Sequence, residues 1–404
     1  MDRTTCCIVG GGPAGVMLGY LLARAGVDVT VLEKHKDFNR DFRGDTVHPS
    51  TLQLMKQLGL LAEFLQQPHQ NVEHVRMIFG GQTFEMASLC NLNIDTPFVV
   101  LMPQWDFLNF LTAKARPYPE FHILMEHEAT DLLIRDDRVA GVVAKSPGGP
   151  KQIEARLVIA CDGRHSLMRQ RAGLPLKDHG VPIDVLWFHI SRPPNDPVEQ
   201  VMGNVNYGKM LILIDRGGYF QAGLVIRKDS FADVQQQGID AFRKSLVQLV
   251  PELADRVHEI RNWDQVKLLS VQINRLVQWS RPGLLCIGDA AHAMSPVFGV
   301  GINLAVQDAV ATANILAPPL RKGENPDPIL QQVQQRREYP ASGTQRMQVI
   351  VHKGLSWVFR QHGPMEPPLL IQLMTRIPGM QTRVARTVGM GLRPEHIQTP
   401  DVHS

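Results

Sequence analysis

The sequence predicts an α/β fold with an α+β insert: a βαβ frame, an antiparallel sheet interleaved with it, and a helical C-terminal tail. Three observations predict it. Residues 4–9 form a short apolar run, residues 13–25 carry apolar side chains at helical spacing, and residues 27–32 form a second apolar run; together they read as a βαβ unit. Two further runs of the buried-strand type, 157–160 and 284–287, lie far downstream, so the frame is discontinuous. Between them, residues 176–275 alternate or run apolar at strand length, the habit of an antiparallel sheet.

Taken in order, Gly26 stops the first helix and Glu33 closes the second strand. Pro49 and Ser50 open a helix reaching about Gln57. Runs 75–79 and 82–86, joined by Gly80 and Gly81, predict a hairpin, as do 130–134 and 139–144 across a charged turn. Residues 104–116 predict a helix. Strands are expected at 185–190, 210–214, 219–226 and 266–273, with one helix over 231–249. Helices follow at 299–316 and 326–337, and the remainder reads as helical pieces broken at Pro364, Pro367, Pro368 and Pro378. The expected domains are 1–72, 101–175 and 276–337 for the frame, 73–100 and 176–275 for the insert, and 338–404 for the tail.

At 404 residues, 44% hydrophobic and 20% charged, the chain has the make-up of a multi-domain globular protein. A formal charge of +3 is too small to argue for nucleic acid. Five cysteines without a CxxC pair favour neither a disulfide framework nor a metal site, and point to a reducing, cytoplasmic compartment. The N-terminal apolar run is too short for a signal peptide, and no uncharged apolar run reaches the ~20 residues of a membrane span. Neither a nucleophile elbow nor an HExxH motif occurs.

Chemistry enters with Gly10-Gly11-Gly12-Pro13-Ala14-Gly15, a GxGxxG motif between the first strand and the first helix. Gly10 allows the tight turn, Gly12 lets backbone N–H groups approach a pyrophosphate, and Gly15 lets helix and strand pack closely. Pro13 and Ala14 open the helix whose N-terminus faces the phosphates. Glu33, 18 residues past Gly15, has the spacing of a carboxylate that grips ribose hydroxyls, with Lys34 beside it. This is a Rossmann-like dinucleotide site, and the motif alone does not separate NAD from FAD.

Two more segments narrow the choice. Residues 157–166 run from a buried strand into Cys161-Asp162-Gly163-Arg164-His165-Ser166, and residues 284–303 run from another into Gly288-Asp289-Ala290-Ala291-His292, then Pro296, Gly299, Gly301 and Asn303. With the glycine motif, in this order, the chain resembles the single-component FAD-dependent aromatic hydroxylases of the p-hydroxybenzoate hydroxylase type. The resemblance covers essentially the whole chain. It implies a Rossmann-like FAD-binding domain, an interleaved antiparallel-sheet substrate domain, and non-covalent FAD reduced transiently by NAD(P)H. It assigns Asp289 to the ribityl hydroxyls, Pro296 to the flavin ring, and Gly299, Gly301, Ile302 and Asn303 to the flavin's pyrimidine edge. Asp162 and Gly163 fall on the second fingerprint, Arg43 near the pyrophosphate and Gln104 on the ribityl chain. His292 is expected to pack or hydrogen-bond near FAD rather than to catalyse.

The family hydroxylates electron-rich aromatic carbons with dioxygen through a flavin C4a-hydroperoxide, so no catalytic side chain beyond the flavin is expected. The substrate pocket is expected between the inserted sheet and the Pro296 loop, with Trp187, Met210, Tyr219, Gln221 and Phe298 as candidates, and Phe188 and Phe220 beside them. Only Arg216 is basic in the strand-turn stretch where some relatives hold a substrate carboxylate. That departure favours a larger, apolar aromatic or polyketide-like substrate over a benzoate. Alternatives are a non-oxygenating flavin reductase of the same fold and a non-catalytic FAD-binding protein. The arginine-rich tail is expected to pack over the frame, with peripheral membrane contact as the alternative.

Overall fold

The computed structural model describes residues 2–39, 46–196, 203–361 and 363–403. Its helices are α1 Pro13–Arg24, α2 Pro49–Gln57, α3 Leu61–Phe64, α4 Gln104–Ala115, α5 Leu167–Arg171, α6 Phe231–Gln236, α7 Ile239–Leu249, α8 Gly301–Arg321, α9 Leu330–Val358, α10 Leu369–Arg376 and α11 Met380–Met390.

The frame is a sheet whose parallel strands run in the order Leu284–Cys286, Gly149–Ala160, Asp2–Val9, Val29–Leu32, Phe121–Leu124. The carboxyl halves of the central strands Asp2–Val9, Val29–Leu32 and Gly149–Ala160 are buried, as helix-covered parallel strands must be. α1 packs against both α4 and α8, which carries the apolar composition of a membrane span but is mostly buried in the protein as a core helix. The hairpin Glu128–Arg135 and Arg138–Ser146 extends the sheet antiparallel.

The second sheet has seven strands, in the order Lys267–Leu269, Ile183–Ser191, Tyr219–Arg227, Lys209–Asp215, Asn204–Asn206, His74–Phe79, Gln82–Ser88. It thus joins the hairpin near residue 80 to strands more than a hundred residues later, through one parallel pairing of Asn204–Asn206 with His74–Phe79. Its faces separate by alternation. Leu186, Phe188, Leu213, Phe220 and Leu224 meet α7 through Phe242 and Leu246. Val185, Trp187, Met210, Ile214 and Val225 point the other way, into a cluster closed by Leu89, Leu101, Leu355 and Ala385.

Three expectations are corrected. The helix over 231–249 is two helices, because Gly238 adopts φ +86, outside helical geometry. The strand over 266–273 pairs only at Lys267–Leu269; beyond it the Asp184 carboxylate accepts the Val271 N–H at 2.9 Å and takes the place of a ladder bond. The helix expected at 326–337 begins instead with a short turn at Asp327–Ile329 and continues as α9 through Pro340 to Val358. Proline at 340 leaves the Arg336 carbonyl without its helical N–H, and Arg393 Nη1 donates to that carbonyl at 3.5 Å. The chain end returns over the frame: Val402 N–H donates to the Arg24 carbonyl at 3.0 Å and Tyr118 OH to Asp401 at 2.9 Å.

Candidate active site

Val9 is level with Ala160 and Leu32, and Ala160 is level with Cys286. The glycine motif, Glu33, the Asp162 turn and the Gly288-Asp289 turn therefore leave adjacent strands at one height. All four lie at the carboxyl ends of a parallel sheet, where open α/β sheets bind ligands.

The glycine loop shows three different demands. Gly10 has φ +106, and a Cβ there would overlap the Cys161 carbonyl of the neighbouring strand. A Cβ at Gly15 would overlap the Gly10 carbonyl. At Gly12 a Cβ would meet no protein atom within 4 Å, so neither packing nor φ requires glycine there. Gly12 caps α1, with Pro13 and Ala14 next, and the first N–H groups of the helix have no intrahelical partner. Glu33 turns its carboxylate onto this loop: Oε2 accepts the Gly11 N–H at 3.1 Å and Oε1 the His35 N–H at 3.0 Å. Lys34 is exposed. Gln104 starts α4, which packs on α1.

Asp162 is largely buried. Its Oδ2 accepts the Met168 N–H at 3.0 Å, while Oδ1 has no partner. Burial pushes its carboxyl above the usual range, against the hydrogen bonds from Ser166 and the start of α5. Gly163 follows with φ +82. Asp289 remains partly open, and Arg164 Nη2 stands 3.5 Å from it while Arg164 Nη1 is buried without a partner. Arg169 ties the two turns together, donating to the Ala290 carbonyl and to the Arg164 carbonyl, each at 2.9 Å. The sequence reading passed over Arg164 and Arg169, although both lie in or just after the second motif.

Pro296 opens a one-turn helix over Val297–Gly299, and α8 begins at Gly301 with Ile302 buried behind it. Phe298 sits at φ +72, a left-handed backbone that costs a bulky residue about 1–2 kcal/mol. Two neighbours hold the loop there. Thr46 Oγ1 donates to the Gly299 carbonyl at 2.6 Å, and Gln348 of α9 donates to the Ser295 and Val297 carbonyls, each at 2.9 Å. Asn303 is committed to protein: Oδ1 accepts from His48 N–H and Thr51 Oγ1, each at 2.8 Å, and Nδ2 donates to the Thr46 carbonyl at 3.0 Å. That leaves the backbone N–H groups at the start of α8 as the donors this segment offers. Arg43 lies outside the described residues, on the stretch just before Thr46.

A family model described as an FAD binding domain matches residues 3–346. The chain belongs to the FAD binding domain family. It is 29% identical to 6-methylpretetramide 4-monooxygenase of Streptomyces rimosus, over 96% of this chain and 93% of that one. It is 24% identical to para-nitrophenol 4-monooxygenase of Pseudomonas sp. (strain WBC-3), over 78% of each. The crystal structure of p-nitrophenol 4-monooxygenase from Pseudomonas putida DLL-E4 superposes with a TM-score of 0.78 at 20% identity, covering 97% of this chain and 100% of that one. The chain is an FAD-dependent oxidoreductase of the monooxygenase type. Its own residues fit the cofactor: among the described residues there is clear space at Gly12 and Gly301, and Asp162 Oδ1 and Arg164 Nη1 have no partner.

Within this FAD-binding protein, the inner face of the seven-stranded sheet carries Trp187, Met210, Tyr219 and Gln221. The Trp187 ring lies across Gly223, where an added Cβ would stand 2.8 Å from it, and its Nε1 is buried without a partner. Gln221 accepts from Arg216 Nη2 at 3.3 Å. Tyr219 packs on His189, ring centres 4.7 Å apart. Phe220 lies on the face opposite Tyr219 and Gln221, as alternation along the strand requires, and Phe188 is corrected: it too belongs to that opposite face, under α7. Phe298 packs against the frame's core.

His292 is a buried structural residue. Its Nε2 lies 2.6 Å from Asp308 Oδ2, Arg337 Nε donates to Asp308 Oδ1 at 2.9 Å, and the Gly288 N–H donates to Asp308 Oδ2 at 3.0 Å. Burial alone would raise the Asp308 carboxyl; His292 and Arg337 together hold it below the usual range. Arg337 is fully buried and also pairs with Glu395.

Proposed function

We propose that this monooxygenase hydroxylates a neutral, polycyclic aromatic or polyketide-like substrate, bound on the inner face of the seven-stranded sheet. The observation that carries the reading is the make-up of that face. Its candidate contacts are Trp187 over Gly223, Met210, Ile212 and Gln221, an apolar shelf with amide and indole groups, with Arg216 at the turn donating to Gln221. A flat apolar ligand with a few hydrogen-bonding groups suits such a surface. The likeness to a 6-methylpretetramide monooxygenase over nearly the whole chain supports it.

In this reading residues 1–72, 101–175 and 276–337 form the FAD-binding domain, 73–100 and 176–275 the substrate domain, and 338–404 the helical tail. The N-terminus of α1 with Gly10, Gly12, Pro13, Ala14 and Gly15 takes the pyrophosphate, aided by Arg43. Glu33 and Lys34 border the ribose, Asp289 and Gln104 hold the ribityl chain, and Asp162 and Gly163 close the site. Pro296, Gly299, Gly301, Ile302 and Asn303 frame the flavin. Bound FAD supplies the redox chemistry with NAD(P)H and dioxygen; the protein orients substrate and excludes water. Four buried, free cysteines (Cys6, Cys7, Cys161, Cys286) support a cytoplasmic setting.

Screening polycyclic phenols for stimulated NAD(P)H oxidation tests the function, with product mass measured under isotopically labelled dioxygen. One labelled oxygen in the product is expected. Turnover without label would favour the non-oxygenating reductase, and no stimulation across the panel the non-catalytic alternative.

A further inference from the structure

We propose that α10 and its neighbour α11 form a surface that docks the enzyme onto an anionic lipid bilayer. α10 turns its apolar side outward. Leu369, Leu370 and Leu373 are 75%, 68% and 59% exposed, and their spacing puts them on one helical face; Ile377, 44% exposed, follows at the end of the helix. The opposite side is where α10 is anchored: Ile371 packs on Phe79, Val205, Val358 and Met365. This is the reverse of a helix that covers a core, and it leaves a contiguous aliphatic ridge, which soluble surfaces rarely keep without a use.

The surrounding charge says what covers the ridge. Between residues 339 and 394 the chain carries seven Lys or Arg and one acid, Glu366. Arg376 follows the ridge on α10, and Arg383 and Arg386 are exposed on α11, which touches α10 and packs on the same strand, Gln82–Ser88. None of the three has an ion-pair partner among the described residues, whereas the arginines that bind the tail to the frame, Arg336 and Arg337, are both paired with Glu395. A bilayer surface offers the two things this side lacks: an apolar boundary for the leucines and phosphate oxygens for the guanidinium groups, whose stems lie along the interface. A second copy of the chain suits it poorly, because a two-fold contact sets like-charged stretches against each other.

Flotation of the FAD-loaded enzyme tests this, with vesicles of equal parts phosphatidylcholine and phosphatidylglycerol against phosphatidylcholine alone. Binding is expected to be at least about tenfold stronger to the anionic vesicles, and to fall about tenfold in both Leu370→Glu/Leu373→Glu and Arg383→Glu/Arg386→Glu, with FAD content and melting midpoint as in the wild type. Two results would overturn the proposal: equal binding to both vesicle types, or anionic binding unchanged by the leucine substitutions. So would a dimer in solution that Leu370→Glu/Leu373→Glu dissociates, since a second copy would then cover the ridge.

Discussion

Gly12 and Gly15 are both glycines of one motif, yet the structure asks different things of them, and this separates folding from cofactor binding. A Cβ at Gly15 collides with the Gly10 carbonyl, so Gly15→Ala is expected to cost about 3 kcal/mol of stability. A Cβ at Gly12 meets no protein atom, so Gly12→Ala is expected to leave the melting of the apoprotein within about 1 kcal/mol of wild type while lowering FAD affinity. Apoprotein melting together with fluorescence titration by FAD checks both; a Gly12→Ala protein that holds FAD normally would remove the pyrophosphate assignment. The two aspartates differ in the same way. Asp162 already spends one oxygen on the Met168 N–H, whereas among the described residues Asp289 has only the distant Arg164. Asp289→Ala is therefore expected to weaken FAD binding by roughly one to two decades, and more than Asp162→Ala does. Equal losses would contradict that order. The glycines and aspartates were legible because strand ends fix their height in the sheet. Arg169, which clamps the two turns through backbone carbonyls, was not, since a carbonyl acceptor leaves no mark in sequence.

At the scale of elements, α9 departs furthest from its appearance in the sequence. Gln334, Arg337, Gln345, Gln348 and His352 recur at helical spacing, and a polar stripe of that kind reads as a solvated face. All five are buried, and they hydrogen-bond neighbouring segments outside the helix. Gln348 alone takes the Ser295 N–H at 3.1 Å and donates to the Ser295 and Val297 carbonyls. Gln348→Leu orphans all three groups, so a loss of about 2–4 kcal/mol is expected in thermal unfolding, with more peroxide released per NAD(P)H because the loop carrying Pro296 is no longer pinned. An unchanged melting curve would show that the loop holds itself. The same helix sets a pH dependence. Burial lowers His352 to about 4, with Ser295 Oγ at 2.8 Å from its Nε2. The folded protein keeps it neutral where the unfolded chain, near 6.5, takes up a proton. Stability contributed this way is present above about 6.5 and is lost as pH falls toward 4. Each such histidine adds up to about 1.4 kcal/mol per pH unit. His48, also lowered to about 4 by burial, adds to the same slope. His352→Gln should flatten denaturant-derived stability over that interval; a slope equal to wild type would place the titration elsewhere.

On the scale of the whole molecule, the outline of frame, inserted sheet and tail was readable because buried parallel strands and alternating strands differ in composition. The side of the inserted sheet that faces the frame was not. Alternation puts Phe188 and Trp187 on opposite faces, but only the packing of α7 on Phe188 and Phe220 decides which face α7 covers. Trp187 and Gln221 lie on the sheet face away from α7; the Pro296–Gly301 loop is held by Gln348 on one side and by Thr46 on the other. Thr46 in turn directly follows the stretch that carries Arg43. A ligand that presses on the loop therefore also bears on the strand at Thr46, and through it on the surroundings of the cofactor. We expect reduction of the bound flavin by NAD(P)H to be slow without substrate and fast with it. Such a gate spares reductant, because a flavin reduced in an empty site spends its electrons on peroxide. For it to work, substrate must bind the reduction-ready arrangement more tightly than the resting one, since a ligand shifts a conformational equilibrium only by its differential affinity. A stimulation of about a hundredfold needs about 2.7 kcal/mol of that difference, within reach of an aromatic ligand buried against the Trp187 shelf. Anaerobic stopped-flow reduction, with and without a substrate whose hydroxylation has been demonstrated, measures it directly. Equal rates in the two mixtures would remove the gate while leaving the oxygenase assignment standing, because that assignment rests on the family and on the cofactor site and not on the coupling between them.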